Sequence, residues 1–168
     1  MWLDGLDVPI VNLFDTSFMD HEEDEGAVAG DARVFSYPYA TGRERLDRMA
    51  REGAPHVCHG FKMAYADSVA GGYPMLTIEA FLQLLPAGFR GAPYRATGAS
   101  VYCAAEGSGR SRVGAEVFEW ARGDVFVVPS WVSVAHDVDG EAVLFSFSDT
   151  PAQKALGIWR EEAPERSR

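Results

Sequence analysis

EGSGRSRVG, from Glu106 to Gly114, and GDVFVVPSW, from Gly123 to Trp131, decide how this sequence is read. Gly107 and Gly109 let a chain reverse tightly, and Gly123-Asp124 releases a β-branched run that stops at Pro129-Ser130. Working outward, strands are expected at Ser100 to Ala105, Ser111 to Val113, Val117 to Trp120, Val125 to Val128 and Ala142 to Ser148. Their turns are Glu106 to Gly109, Gly114 to Glu116, Arg122 to Asp124 and Asp137 to Gly140. Short strands with a turn every roughly 8 to 12 residues indicate an antiparallel sandwich or barrel. Upstream, Phe61, Met63 and Tyr65 alternate, and Gly71-Gly72 with Pro74 mark a turn. Helix and strand compete over Thr77 to Leu85; the breakers on both sides favour strand. Thr41 caps a short helix running to Glu52, with Leu46, Met49 and Ala50 on one face and Gly53 as its stop. A second helix is expected from Pro151 to Trp159 with Thr150 as its cap, and Gly5 and Pro9 make Trp2 to Phe18 read as extended chain.

The chain has 168 residues, 47% of them hydrophobic, which suits one globular domain and excludes a disordered or fibrous protein. Its net charge of -10 repels phosphate backbones, so nucleic acid is not expected as a partner. The charge is uneven. Asp4, Asp7, Asp15, Asp20, Glu22, Glu23, Asp24, Glu25 and Asp31 fall in residues 1–32, which hold no Lys or Arg, so the remainder is nearly neutral. No apolar run approaches the roughly 18 residues of a membrane span, and the N-terminus lacks the basic start of a signal peptide. No membrane partner is expected, and the cytoplasm is the expected compartment. Cys58 and Cys103 stand in no paired motif and read as reduced thiols.

The two glycine-bearing blocks resemble the paired motifs of the cupin superfamily, small jelly-roll β-barrels. Longer strings narrow the likeness: WLDGLDVPIV (Trp2 to Val11), FSYPYA (Phe35 to Ala40), FLQLLPAGF (Phe81 to Phe89), FVVPSW (Phe126 to Trp131) and VLFSFSDTP (Val143 to Pro151) are similar to the gentisate 1,2-dioxygenase family, which includes salicylate and 1-hydroxy-2-naphthoate dioxygenases. The likeness runs in order from Trp2 to about Glu162. It implies a mainly β fold: a single cupin with one or two short flanking helices and an extended N-terminal segment. Members of the family are bicupins, whose N-terminal barrel carries Fe(II) on histidines and opens the ring of a hydroxylated aromatic acid with O2. The resemblance therefore implies a C-terminal-type cupin over 33–162. Residues 1–32 would be an acidic junction resembling the end of an N-terminal cupin, and 163–168 a tail.

A cupin iron site takes an HxH pair on one strand, whose alternate residues share a face, and a third histidine after the second motif. Counted from Glu106, the pair falls on Tyr94 and Ala96; the third position is Val134, with His136 two residues further on. No Fe(II) is expected on this chain. His56, Cys58 and His59 form a compact HVCH group, but no second ligand pair stands at a structural zinc spacing, which favours a hydrogen-bonding loop. His21 lies in the acidic connector. His136 and Asp137 read as an acid/base pair or, better, as a barrel-mouth histidine bonded to backbone. Arg95 and His136 are the substrate-binding candidates; Arg95 and Arg110 suit a carboxylate, although surface hairpin arginines are the commoner outcome. Ser130 has no nucleophile motif, and Trp120 and Trp131 read as core. As a catalytic candidate Asp4 rests on resemblance alone, which sets it at an acid near the substrate pocket of the family's N-terminal barrel and leaves it here a relic rather than a working residue.

Three functions compete: part of a ring-cleaving dioxygenase whose iron barrel is supplied elsewhere, a non-catalytic assembly module, and a small-molecule binder using the barrel interior. The expected protein partners are a further copy of the chain or a separate N-terminal cupin half.

Overall fold

A strand at Ala142–Ser148 (β9) occupies the middle of the largest sheet in the computed structural model, which describes residues 5–13, 15, 36–66 and 71–164. The order across that sheet is Phe61–Ala64 (β1), Glu79–Leu85 (β2), β9, Ser100–Glu106 (β4) and Val125–Val128 (β7), all antiparallel. Facing it is a sheet of Glu116–Ala121 (β6), Ser108–Val113 (β5) and Val134–Asp137 (β8). Bridges from Arg90 to Asp137 and from Tyr94 to Val134 extend this second sheet beyond β8. Arg95–Ala96 (β3) and Glu161–Glu162 (β10) pair as a small flap. The result is the mainly β jelly roll expected.

Glycine fixes the corner between the two sheets. Gly107 has φ +74°, and a Cβ there would lie 2.5 Å from the Glu141 carbonyl oxygen. At Gly109 a Cβ would come within 2.7 Å of both the Trp120 ring and the Asp137 carbonyl oxygen. A side chain at either position would push β4 and β5 off their partners.

Because strand residues alternate, the larger sheet has two distinct faces. Its outer face gathers Phe61, Met63, Leu82, Leu84 and Val143 under Leu46 of Tyr39–Glu52 (α2), which is fully buried. Its inner face closes the barrel with Leu85, Ala104, Leu144 and Tyr102 against Phe89, Trp120, Val134 and Val138. Arg43 of α2 ties the helix to the barrel through ion pairs to Glu106 and Glu141, and Tyr39 donates to Glu106 at 2.6 Å.

Several local expectations are corrected. Among the described residues three helices are present where one or two were expected. Residues 8–13 form a short helix, α1, where extended chain was expected; Pro9 is tolerated because first-turn N–H groups need no intrahelical partner. α2 begins at Tyr39 after Pro38, so Thr41 lies inside it and caps nothing, while Gly53 does end it by donating to the Met49 carbonyl. The last helix, Thr150–Ala155 (α3), is shorter than expected and follows Asp149; Thr150 is instead buried against Ser148, 2.6 Å between hydroxyls. Trp120 is core, but Trp131 is 41% exposed, held out by its positive φ and covered by the Arg95 guanidinium. Asp4, His21 and most of the 1–32 junction lie outside the described residues, as do residues 165–168 of the tail. No helix among the described residues is long and apolar enough to cross a membrane.

Candidate functional site

The three positions expected for iron ligands converge at one end of the barrel. Tyr94 and Val134 exchange backbone hydrogen bonds, at 2.9 Å from Tyr94 and 2.7 Å from Val134, and the Ala96 carbonyl accepts from the Trp131 N–H at 2.7 Å. Their side chains do not fit a metal. Ala96 and Val134 offer no lone pair. The Tyr94 hydroxyl already donates to Glu161 at 2.8 Å, and burial together with that carboxylate raises its pKa, which disfavours the phenolate a metal would need. Among the described residues, no three His, Cys, Asp or Glu side chains stand close enough to hold a metal ion.

His136 does not bond to backbone through its ring at the barrel mouth, as was expected; it is 2% exposed, inside the barrel. Its Nδ1 lies 2.7 Å from Ser111 Oγ, which accepts the Trp120 Nε1–H at 2.8 Å. Since the indole can only donate, the serine proton is free to point at Nδ1, leaving the histidine proton on Nε2 beside the Tyr102 and Phe126 rings. Burial lowers the His136 pKa to about 3, so the ring is neutral, and Asp137 faces away toward Arg112. Arg95 stands on the outer side of the wall, ion-paired with Glu162 and stacked on Trp131. The structure therefore does not bring Arg95 and His136 together. Arg110 borders a separate depression with Glu119 and Asp124. Ser130 donates to the Thr97 carbonyl at 2.5 Å.

The HVCH group is a tight turn in which His56 and Gly60 exchange backbone bonds of 2.8 Å. Within it, Cys58 N–H donates to His56 Nδ1 at 3.2 Å and the buried Cys58 thiol points at the Pro93 carbonyl. The His59 ring stacks on His56 and meets Tyr94 edge-on, with centroids 4.5 Å apart, and burial lowers its pKa to about 3.

Beside this turn opens a cavity of about 520 Å³ bordered by Lys62, Glu79, Phe81, Tyr94, Tyr102 and Glu161. Sequence reasoning missed Lys62 and Glu79. Lys62 sits between Phe61 and Met63, and a charged residue alternating with apolar ones reads as a solvent face. Here the apolar face lies under α2, so the charged one points into the barrel. The only advance signal was the helix itself, whose apolar face needed a sheet to cover.

The chain resembles known enzymes over nearly all its length. It is 42% identical over 185 residues to gentisate 1,2-dioxygenase 1 of Aquipseudomonas alcaligenes, a match covering 96% of this chain and 53% of that protein. The chain is homologous to the gentisate 1,2-dioxygenase family. A 5-aminosalicylate 1,2-dioxygenase of Comamonas sp. is 33% identical over 97% of this chain and 50% of its own length. Among solved structures, salicylate 1,2-dioxygenase of Pseudoaminobacter salicylatoxidans, as adducts with gentisate, superposes with a TM-score of 0.72 at 27% identity, covering 77% of this chain and 37% of that one. A further structure of that enzyme reaches 0.79 over 94% of this chain and 53% of its own, at 24% identity, and speaks for the fold alone. This homologue of the gentisate 1,2-dioxygenases spans about half the length of the curated relatives it matches. No family model matches the chain.

Proposed function

We propose that this chain serves a ring-cleaving dioxygenase of the gentisate type as its C-terminal-type cupin, beside an iron-bearing barrel, and carries no ring-opening chemistry itself. The observation that supports the reading is that Tyr94, Ala96 and Val134, the positions at which the resemblance expects histidine ligands, present side chains that do not suit a metal, in a chain homologous to these enzymes. In this reading Fe(II) and the hydroxylated aromatic acid belong to the other barrel, where the metal would supply oxygen chemistry. This barrel contributes a rigid wall. Residues 33–162 form that cupin, 1–32 the junction toward the partner barrel and 163–168 a tail. The compartment is the cytoplasm, where the free thiols Cys58 and Cys103 remain reduced.

The test mixes the chain with Fe(II), gentisate and air, alone and with a separately produced iron-bearing half. The expected outcome is no ring-opened product from the chain alone and faster turnover by the other half when the chain is added. Turnover by the chain alone, or no effect of adding it, overturns the reading.

A second reading, assembly of copies through the outer barrel face, is favoured by Val125 and Val127. They lie 41% and 53% exposed on β7, the edge of the larger sheet. Light scattering behind a sizing column should show a dimer or larger species that Val127→Lys returns to monomer; a monomeric native chain excludes this reading.

A further inference from the structure

We propose that the open half of this barrel is a binding site in its own right, for a small organic carboxylate that also carries a hydrogen-bond donor, with Lys62 receiving the carboxylate and Glu79 the donor. The site needs neither iron nor a second barrel, so it stands or falls apart from the dioxygenase reading.

Lys62 is the first argument. It projects inward from β1, its Nζ 4.0 Å from the centre of the Phe81 ring, and has no ion pair or hydrogen bond among the described residues. Burial lowers its pKa to about 8, and the Glu79 and Glu161 carboxylates, neither in an ion pair with it, offset that burial only in part. Glu79 is the second. It is 6% exposed, borders the same cavity, and its Oε2 has no hydrogen-bond partner. Burial raises its pKa. Opposite Lys62 across the β1–β2 ladder, Gln83 is wholly buried with both amide atoms unpartnered.

A half-buried cation and a buried acid on one wall, which feel each other's charge without an ion pair or hydrogen bond between them, leave room for a guest. The Phe81 ring lies along β2 between Gln83 and Glu79, so a guest spanning the two charges would rest on an aromatic surface. The cavity, about 520 Å³, falls in the range of small-molecule sites. Its polar groups select among guests. Two carboxyls at the border, Glu79 and Glu161, beside the Lys62 ammonium suit a monoanion and repel a phosphate dianion. The second cation at the border, Lys154, meets the Tyr73 hydroxyl at 3.2 Å and acts on Glu79 more strongly than Lys62 does. His59 and His136 are neutral and add no positive charge.

Calorimetry and thermal melting of the full chain with benzoate, 3-hydroxybenzoate and benzamide test the proposal. At a concentration of about ten times its Kd, 3-hydroxybenzoate should raise Tm by roughly 3–5 °C. Benzoate, which cannot reach Glu79 with a donor, should bind about five-fold more weakly, and uncharged benzamide at least about ten-fold more weakly. Lys62→Met should stay folded by circular dichroism and lose at least about ten-fold in affinity for both acids. Glu79→Gln should keep benzoate affinity within about two-fold and lessen the preference for the hydroxylated acid. Equal binding of benzamide, undiminished binding by Lys62→Met, or no shift with any acid at about 10 mM overturns the proposal and leaves water as the occupant of the cavity.

Discussion

The two halves of the barrel interior are built from the same strands and have opposite character. Along β9 the inward residues run Ala142, Leu144, then Ser146, Ser148; along β2 they run Leu85, Gln83, Phe81, Glu79; along β4, Ala104, Tyr102, Ser100. The β9 and β4 rows change from apolar to polar in passing from one end of the barrel to the other, and the β2 row begins at Leu85 and ends at Glu79 with Gln83 and Phe81 between. The closed half, around Leu144, Leu85 and Val138, is packed like any core. The open half holds Lys62 and Glu79 around a cavity. Half of this interior provides stability, and the other half retains groups that cost stability, as functional sites commonly do.

The largest effect should come from the closed half. Leu144→Ala should cost about 3 kcal/mol in urea denaturation, whereas Ser146→Ala, next inward on the same strand, should stay within about 1 kcal/mol of the native chain. Equal costs would erase the distinction. Next is Lys62→Met, which should raise stability by about 2 kcal/mol at pH 7 by removing a desolvated charge that its neighbouring carboxylates offset only in part. The folded ammonium has a pKa of about 8 against an ordinary 10.5, so the unfolded chain binds that proton more tightly. Native stability should therefore gain a contribution from Lys62 as pH rises from 8 to 10.5, and the variant should lack it.

The boundary between the halves is the Trp120, Ser111 and His136 chain. Ser111→Ala leaves two buried nitrogens unpartnered and should cost roughly 1.5 kcal/mol. His136 and His59 have folded pKa values of about 3 against an ordinary 6.5, so both contribute a loss of stability as pH falls from 6.5 toward 3. His136→Gln should make that loss shallower, read from melting temperatures across the range. The smallest effect belongs outside the barrel: Arg43→Ala should cost about 1 kcal/mol, less in high salt, because its pairs with Glu106, Glu141 and Asp47 are partly in water.

Much of the scaffold was legible in the sequence because its turns depend on local chemistry. Gly107, Gly123 and the Asp137–Gly140 stretch mark corners by backbone freedom alone, and the long strands between them appear where expected. The two-residue strands β3 and β10 were not legible. They exist only because distant segments meet, and nothing local distinguishes Glu161-Glu162 from an acidic tail. Of the candidate site less was legible. Counting from Glu106 pointed to Tyr94, Ala96 and Val134, of which Tyr94 and Val134 exchange backbone hydrogen bonds. Lys62 and Glu79 escaped notice because alternation tells that two faces differ without telling which one meets water.

β9 lies between β2 and β4, with α2 and its neighbours over one face of the sheet and the smaller sheet over the other. Its amide protons are consequently shielded from solvent on every side, so in deuterium exchange they should be the last to leave, released only when the whole molecule opens. The amides of β6, at the edge of the smaller sheet, should leave by local fraying long before. The Ala142–Ser148 amides thus report global opening, and a ligand that slows their exchange has stabilised the entire fold.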